Sequence, residues 1–367
     1  MQKVKAENEV RLVHNKKAGR WGTTPQVKLD LIRTMGGLEV SDSNLALNAP
    51  YDVDVDSSGN IYVLDEANNR IQKLNPDGRF LKSIGRAGQG PGDLQRAFSM
   101  DIDSQDLLYI SDSGNMRLQI FNAAGKPLRQ LKFRTPGVYR IRKLPSGLIV
   151  KGGGVLNLRA LMGNPKKLPP LLEILELNGK VKKAFGEAAD YKDTLVNMLA
   201  NASELDADRQ GNIVLSFWHQ NRIDKYSPDG ELLWRADRPL NYGTEVVDKG
   251  YFKRTSRGTV AQAPMLNSVS MGVAADAKGR VWVNTFNRQM TLEESGAEMI
   301  VGGVRTTRES NIVKMDINKL EIFDPDGGLL GEIPLSHLAH GIRIVGDMLF
   351  VWERVNAKVY QYRIVNR

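Results

Sequence analysis

APYDVDVDSSGNIYVLDEANNRIQKLNPDGRFLKSIG, residues 49–85, is the stretch that decides how this 367-residue chain folds. Four apolar or alternating segments are separated by the turn signals DSSG, EANN and NPDG. Alternation with period two marks half-buried strands, and clusters of Gly, Asn, Asp, Ser and Pro mark the tight turns between them. The unit is therefore predicted to be a four-stranded antiparallel meander. A second copy, FSMDIDSQDLLYISDSGNMRLQIFNAAGKPLRQLKF, follows at 98–133.

Further copies keep the turns while their sequences drift. The third begins VYRIRKLPSGLIVKGGG and resumes at LLEILELNGKVKKAFG; the fourth is SELDADRQGNIVLSFWHQNRIDKYSPDGELLWRAD. The fifth begins SMGVAADAKGRVWVNTFNR and resumes at NKLEIFDPDGGLLGEIPL, and the sixth, HGIRIVGDMLFVWERVNAKVYQYRIVNR, stops after its third strand. A repeat of this length and shape is the mark of a propeller blade. The missing strand lies at the other end of the chain, where VKLDLIRTMGG (27–37) repeats the pattern of the outer strand GRFLKSIGRAG (78–88). Supplying it from the N-terminus closes the ring and removes two exposed sheet edges.

The fold predicted is all-β, a six-bladed propeller with four-stranded antiparallel blades at about 49–85, 98–133, 138–186, 203–236, 269–335 and 338–365 plus 27–37. Residues 1–26 are set apart as a basic leader. In NPDG (75–78), SPDG (227–230) and DPDG (324–327), Pro presets one turn position and Gly takes a positive φ.

The pattern GNIYVLDEANNRIQKLNPDG resembles the NHL repeat, and the chain from about residue 27 is similar to six-bladed NHL-like propellers common in bacteria, many of them exported. In such repeats the recurring Asp and Arg (Asp65 and Arg70, Asp112 and Arg117) are expected to hold turns and neighbouring blades together, since a motif repeated around a ring serves repeated geometry.

Strand topology divides the propeller into two faces. The connections entering the first and third strands of each blade lie on one face, here the top, and the DSSG and NPDG types lie on the bottom. The long insertions, about 85–97, 155–172, 186–201 (with a short helix), 237–268 and 287–316, all fall on the top. Long loops on one face of a rigid scaffold are where binding residues concentrate. The working surface is therefore expected on the top, and the bottom is expected to be bare scaffold.

Aligning the blades puts Tyr51, Phe98, Tyr139, Ser203, Met271 and His340 at one level of the channel mouth. Asp52, Ser99, Arg140, Glu204, Gly272 and Gly341 form the next. The candidate ligand contacts are Tyr51, Asp52, Phe98, Tyr139, Arg140, Glu204, Met271 and His340. Propeller lactonases of the gluconolactonase and regucalcin type hold a divalent cation at such positions, so Asp52 and Glu204 are the candidate ligands for a cation such as calcium. An Arg140 ion pair with either carboxylate is the competing arrangement. The amidating lyases that resemble NHL propellers use several His on zinc, and of the four His here only His340 reaches the mouth. GQGPG (88–92) lacks the ending of a phosphate loop and reads as an interblade turn.

The net charge of +9 is concentrated at the start, where residues 1–28 carry seven Lys or Arg against two Glu. This leader reads as solvated, or as touching an anionic surface. In the top loops Arg159, Lys166, Lys167, Lys253 and Arg254, with Tyr251 and Phe252 as stacking groups, make a mildly basic sector. Sustained phosphate binding needs a more continuous surface, so nucleic acid is the second alternative. Zero Cys excludes disulfides and thiol catalysis. An extracytoplasmic place with the export signal removed is expected over a cytoplasmic one.

The expected function is non-catalytic binding of a protein, glycan or small ligand by the top loops and channel mouth, without a cofactor. The first alternative is a metal-dependent hydrolase, lactonase or lyase with a cation in the channel.

Overall fold

The computed structural model describes residues 3–7, 10–16, 18–133, 137, 139–156, 161, 167–255, 258–262, 264–295, 299–301, 304–306 and 314–367. It is an all-β six-bladed propeller. Blade 1 consists of Pro50–Val55, Ile61–Asp65, Arg70–Leu74 and Phe80–Ile84, and blade 2 of Ala97–Ile102, Leu108–Asp112, Arg117–Phe121 and Pro127–Lys132. Blade 3 is Arg140–Lys143, Ile149–Gly152, Leu172–Leu175 and Val181–Phe185, and blade 4 begins with Ser203–Ala207, Ile213–Phe217, Ile223–Tyr226 and Leu232–Asp237. Blade 5 is Ser270–Ala275, Val281–Phe286, Asn318–Phe323 and Leu329–Pro334. Blade 6 takes Gly341–Val345, Met348–Glu353 and Lys358–Asn366 from the C-terminus, and its outer strand is Val27–Gly36, antiparallel to Lys358–Asn366. The ring closes as the repeat count requires.

The turns form for local reasons. Gly78, Gly230 and Gly327 adopt φ of 80°, 78° and 85°, the left-handed values a glycine permits without strain. At the turns between first and second strands, Asp56, Asp208 and Asp276 each accept backbone N–H groups two and four residues on. The carboxylate thereby satisfies the donors a tight turn leaves unpaired.

The core is not in the middle of the ring. It lies in apolar layers between successive blades, as in the layer joining blades 1 and 2 through Tyr62, Leu64, Ile71, Met100 and Ile110. Equivalent layers join each following pair, and the layer between blades 6 and 1 includes Met35 of the closing strand. The Asp and Arg of the repeat hold turns and interblade loops. Asp65 accepts the Asn48 backbone N–H at 2.6 Å and Arg70 Nε at 2.9 Å, while Arg117 donates to the carbonyls of Gln89, Gly90 and Asp93 in the preceding interblade loop.

The leader differs from the expectation. Val10–His14 pairs parallel with the outer strand of blade 4, and Lys3–Glu7 folds back on it as a hairpin. Val13 is buried in the layer between blades 4 and 5, and the side chain of Asn15 donates to Gly327 O at 3.1 Å and accepts from Leu329 N. His14 Nδ1 meets Asp237 at 2.6 Å, Arg11 pairs with Asp326, and Arg20 with Asp324. Residues 10–16 and 18–21 thus run along the edges of blades 4 and 5, and Trp21 packs on Gly331. Arg11 and Arg20 answer acids on those edges, which composition alone could not reveal.

Candidate functional site

Every first strand runs from the top face to the bottom, so the channel is built from side chains two residues apart. Carboxylates on these strands tie blade 1 to 2, 2 to 3 and 4 to 5: Asp52 accepts Met100 N at 2.9 Å, Asp54 accepts Ile102 N at 2.8 Å, Asp101 accepts Lys143 N at 2.6 Å and Asp206 accepts Ala275 N at 2.9 Å. The acids are buried because the neighbouring backbone replaces the water they lose.

At the mouth, Tyr51 and Phe98 pack edge to face with ring centroids 4.8 Å apart, and the guanidinium groups of Arg140 and Arg354 lie 4.7 and 4.6 Å from the Tyr51 ring. Lys151 sits 3.9 Å from the centroid of Tyr139. Tyr51, Phe98, Asp52, Arg140 and Glu204 are buried, whereas Tyr139, Met271 and His340 are half-buried. His340 Nδ1 accepts the Arg354 backbone N–H at 3.2 Å, and burial together with the Arg354 charge holds its pKa down to about 4. It is a neutral rim residue whose Nδ1 lone pair is engaged.

One level below, Arg140 and Glu204 form a two-pronged ion pair, with Nη2 to Oε1 at 2.7 Å. Burial pulls the Arg140 pKa down, but Glu204, Tyr51 and Asp52 together outweigh it and the net shift is upward. The indole Nε1 of Trp218 donates to the same Glu204 oxygen at 3.1 Å. Asp52 takes part in a different set: it accepts from Met100 N and the Ser99 hydroxyl, with Arg142 at 3.5 Å. The two carboxylates proposed as cation ligands are thus each committed to protein donors, and the space between them is about 10 Å³. Among the described residues no group of three or more His, Cys, Asp or Glu is arranged to hold a metal ion.

Two residues further down lies a ring absent from the sequence-level candidates: Asp54, Asp101, Arg142, Asp206 and Arg343, with only blade 5 supplying a neutral residue, Ala274. Arg343 crosses the channel. It reaches Asp206 at 2.8 Å, Asp54 at 3.0 Å and Asp101 at 2.6 Å, so one side chain of blade 6 holds blades 1, 2 and 4. Arg142 adds a 2.7 Å bond to Asp206. The signal was present in the sequence, because these strands carry charge at positions that an apolar core would fill. Which charges meet is set by the ring.

Below this ring the channel opens on the bottom face into a cavity of about 320 Å³, whose walls include Lys143, Asp208, Arg209 and Asp276. The bottom is therefore not bare scaffold. Its short turns do not arch over the channel, which leaves the charged ring at the base of an open vestibule. Burial, opposed by Arg343, raises the Asp54 pKa, and burial raises that of Asp101 to about 6. A folded-state carboxylate pKa above the unfolded value means that the native state binds the extra proton between the two. Stability is then lost as pH rises from about 4 to about 6. Asp101→Asn is expected to flatten that part of the stability–pH curve, measured by urea unfolding at half-unit steps; an unchanged slope would count against a strained carboxylate in the ring.

The top-loop candidates are not gathered into one patch. Tyr251, Phe252 and Lys253 lie on a projecting hairpin, Tyr251–Thr255 with Gly258–Gln262, and are exposed, as is Lys167. Val247 and Met265, at 85% and 87% exposure, flank this hairpin in sequence. Arg159, Lys166 and the side chain of Arg254 lie outside the described residues. The short helix Thr194–Ala200 forms under an Asp193 cap that accepts Leu195 N and Val196 N. Two features missed from sequence are Trp218 and Arg354, which follow the second strands of blades 4 and 6 and lean over the mouth.

Residues 26–137, the closing strand with blades 1 and 2, match the model of the DUF5128 family, described as a 6-bladed beta-propeller. No curated protein matches the chain. Among solved structures, a putative exported protein from Bacteroides fragilis aligns with a TM-score of 0.59 at 11% identity, covering 97% of this chain and 99% of its own. A member of the DUF4221 family from Bacteroides vulgatus aligns at 0.56 and 12% identity over 93% and 99%. A catalytically inactive virginiamycin B lyase from Staphylococcus aureus, with quinupristin, aligns at 0.50 and 12% identity over 92% and 100%. At such identities the likeness establishes the fold, and these folds serve binding and catalysis alike. The chain is a six-bladed β-propeller related in fold to bacterial DUF4221 and DUF5128 proteins.

Proposed function

We propose that this chain is a non-catalytic, NHL-like binding propeller that engages a protein, glycan or small ligand on its top face. The observation that carries the reading is the state of the channel mouth, where Arg140, Glu204 and Trp218 satisfy one another and the Nδ1 of His340 is engaged. Such a mouth is a rigid base for loops, and among the described residues its buried charged groups pair with one another. Exposed Tyr251, Phe252 and Met265 supply amphipathic and apolar contact area in the loop between blades 4 and 5. Likeness to a putative exported protein from Bacteroides fragilis supports an extracytoplasmic place of work.

The test is a panel of glycans and cell-envelope proteins titrated against the wild type, a Tyr251→Ser/Phe252→Ser/Met265→Ser variant and a bottom-face Arg209→Ala control. The top-face variant is expected to lose at least about tenfold in affinity with its melting temperature unchanged, as truncation of central aromatic contacts does elsewhere. Binding that survives in that variant and fails in the control would overturn the assignment of the face. Calcium-dependent turnover of a lactone, abolished by Glu204→Gln, would replace the binding reading with the hydrolase one. RNA binding that weakens steeply with salt would replace it with the nucleic-acid one.

A further inference from the structure

The rim of the channel mouth presents hydrogen-bond donors that the protein leaves unused. Arg354, in the turn between the second and third strands of blade 6, is exposed, and its guanidinium lies 4.6 Å from the centroid of the Tyr51 ring. Among the described residues no carboxylate or carbonyl engages that guanidinium. Tyr51 itself is only 8% exposed, yet its hydroxyl has no partner among the described residues and is not sealed from solvent. His340 repeats the pattern. Its Nδ1 accepts the Arg354 backbone N–H, which puts the ring proton on Nε2, and Nε2 is neither bonded nor sealed. Burial raises the Tyr51 pKa against the pull of Arg140 and Arg354, and burial with the Arg354 charge lowers that of His340, so the guanidinium stands within electrostatic reach of both.

A buried tyrosine ordinarily finds a partner for its hydroxyl, and here the acceptor has to come from outside the chain. The neighbours set the sign of that acceptor, because a guanidinium and an imidazole N–H only donate. Arg96 adds a second exposed positive charge, 5.6 Å from the Phe98 ring that packs on Tyr51. Of the acids, Glu204 is committed to Arg140 and Trp218, and Glu66, whose charge reaches Tyr51, pairs with neither Arg96 nor Arg354. An ionised carboxylate has about four lone-pair sites, which a guanidinium fork, a phenol and an imidazole N–H match in number. Beside them the half-buried indole of Trp218, held through its Nε1 by Glu204, offers a flat apolar surface of the kind that lines small-ligand sites. We propose that the mouth rim binds an acidic sugar, its carboxylate on Arg354, the Tyr51 hydroxyl and His340 Nε2–H, and its ring against Trp218. The proposal rests on the top-face reading and gives that face a ligand class and the residues that take its charge.

Full-length protein is titrated with glucuronate, glucose and a glutamate-containing dipeptide at low ionic strength, since salt screens an exposed guanidinium. The chain has four His, so the histidine ring resonances report the site by NMR, and His340→Gln assigns its signal. Glucuronate is expected to bind and to shift the His340 resonance, with glucose, which lacks the charge, at least about tenfold weaker. Arg354→Gln should lower glucuronate affinity at least about tenfold with the melting temperature unchanged, because the side chain is exposed and holds nothing else in place. Arg354→Lys should restore part of the affinity, and Glu66→Gln should raise it by removing a like charge. The proposal is overturned by an absence of glucuronate binding at about 10 mM, a weak limit by affinity arithmetic. Equal binding in Arg354→Gln, or glucose binding as tightly as glucuronate, overturns it too. A dipeptide that binds more tightly than glucuronate overturns the assignment to a sugar. The Tyr251→Ser/Phe252→Ser/Met265→Ser variant separates this proposal from the top-face reading. If that variant loses a ligand of the panel that Arg354→Gln retains, the mouth proposal fails and the top-face reading stands; if both variants retain every ligand, both fail.

Discussion

Arg343→Met is expected to destabilise the propeller by about 3–5 kcal/mol at neutral pH, the cost of removing one partner from a buried charge network. The wild-type side chain neutralises Asp54, Asp101 and Asp206 together. Methionine fills a similar volume and leaves three carboxylates facing one another with only Arg142 in reach. Their pKa values, already raised for Asp54 and Asp101, should rise further. The deficit against wild type should therefore shrink as pH falls from about 7 to about 5, because protonation discharges the orphaned acids. Urea unfolding at both pH values measures this. A loss below about 1 kcal/mol, the scale of an exposed pair, would mean that the ring does not act as a cross-channel tie.

A chain lacking residues 1–37 is expected not to unfold as a cooperative monomer. Val27–Gly36 pairs with the last strand at nine positions, and it buries Val27 and Met35 in the layers on either side of blade 6. Burying two such side chains contributes roughly 1.5–3 kcal/mol each, before the exposed edge is counted, against a typical total stability of about 5–15 kcal/mol. The bared strand Lys358–Asn366 would offer its unpaired backbone to other copies. Adding a synthetic peptide of residues 26–37 should restore a monomer by strand addition, as read by gel filtration. Deleting only residues 1–22 is the control. It removes the hairpin from blade 4 but leaves the ring closed, and should lower the melting temperature without association. A stable, monomeric 38–367 chain would show that pairing within the remaining blades suffices.

These two expectations draw on different kinds of knowledge. Closure by residues 27–37 was legible because strand alternation and turn chemistry are local, so a missing strand could be counted and then found. The same locality made the roles of Asp65, Asp112, Arg70 and Arg117 readable, since each bonds within its own blade or the loop before it. Alignment of the blades also placed Arg140 and Glu204 on one level, and their pairing was one of the arrangements that placement allowed.

The choice between Asp52 and Glu204 as the partner of Arg140 was not readable, because it depends on reach across a ring whose diameter no single strand encodes. The same limit hid Arg343. Its partners lie 137 to 289 residues away in sequence, and only the closed circle brings them within 3.0 Å. The leader was misjudged for a related reason: its net charge read as that of a solvated segment, and the place of Val10–His14 beside Leu232–Asp237 follows from an edge created only once blade 4 has folded. By itself, then, the sequence determined the blades, their turns, their number and the strand that closes them, all from periodicity and backbone preference. The tertiary structure alone decided which buried charges pair, and that the channel is filled at the top and open at the bottom, since each is a matter of distance between segments that the chain order leaves far apart.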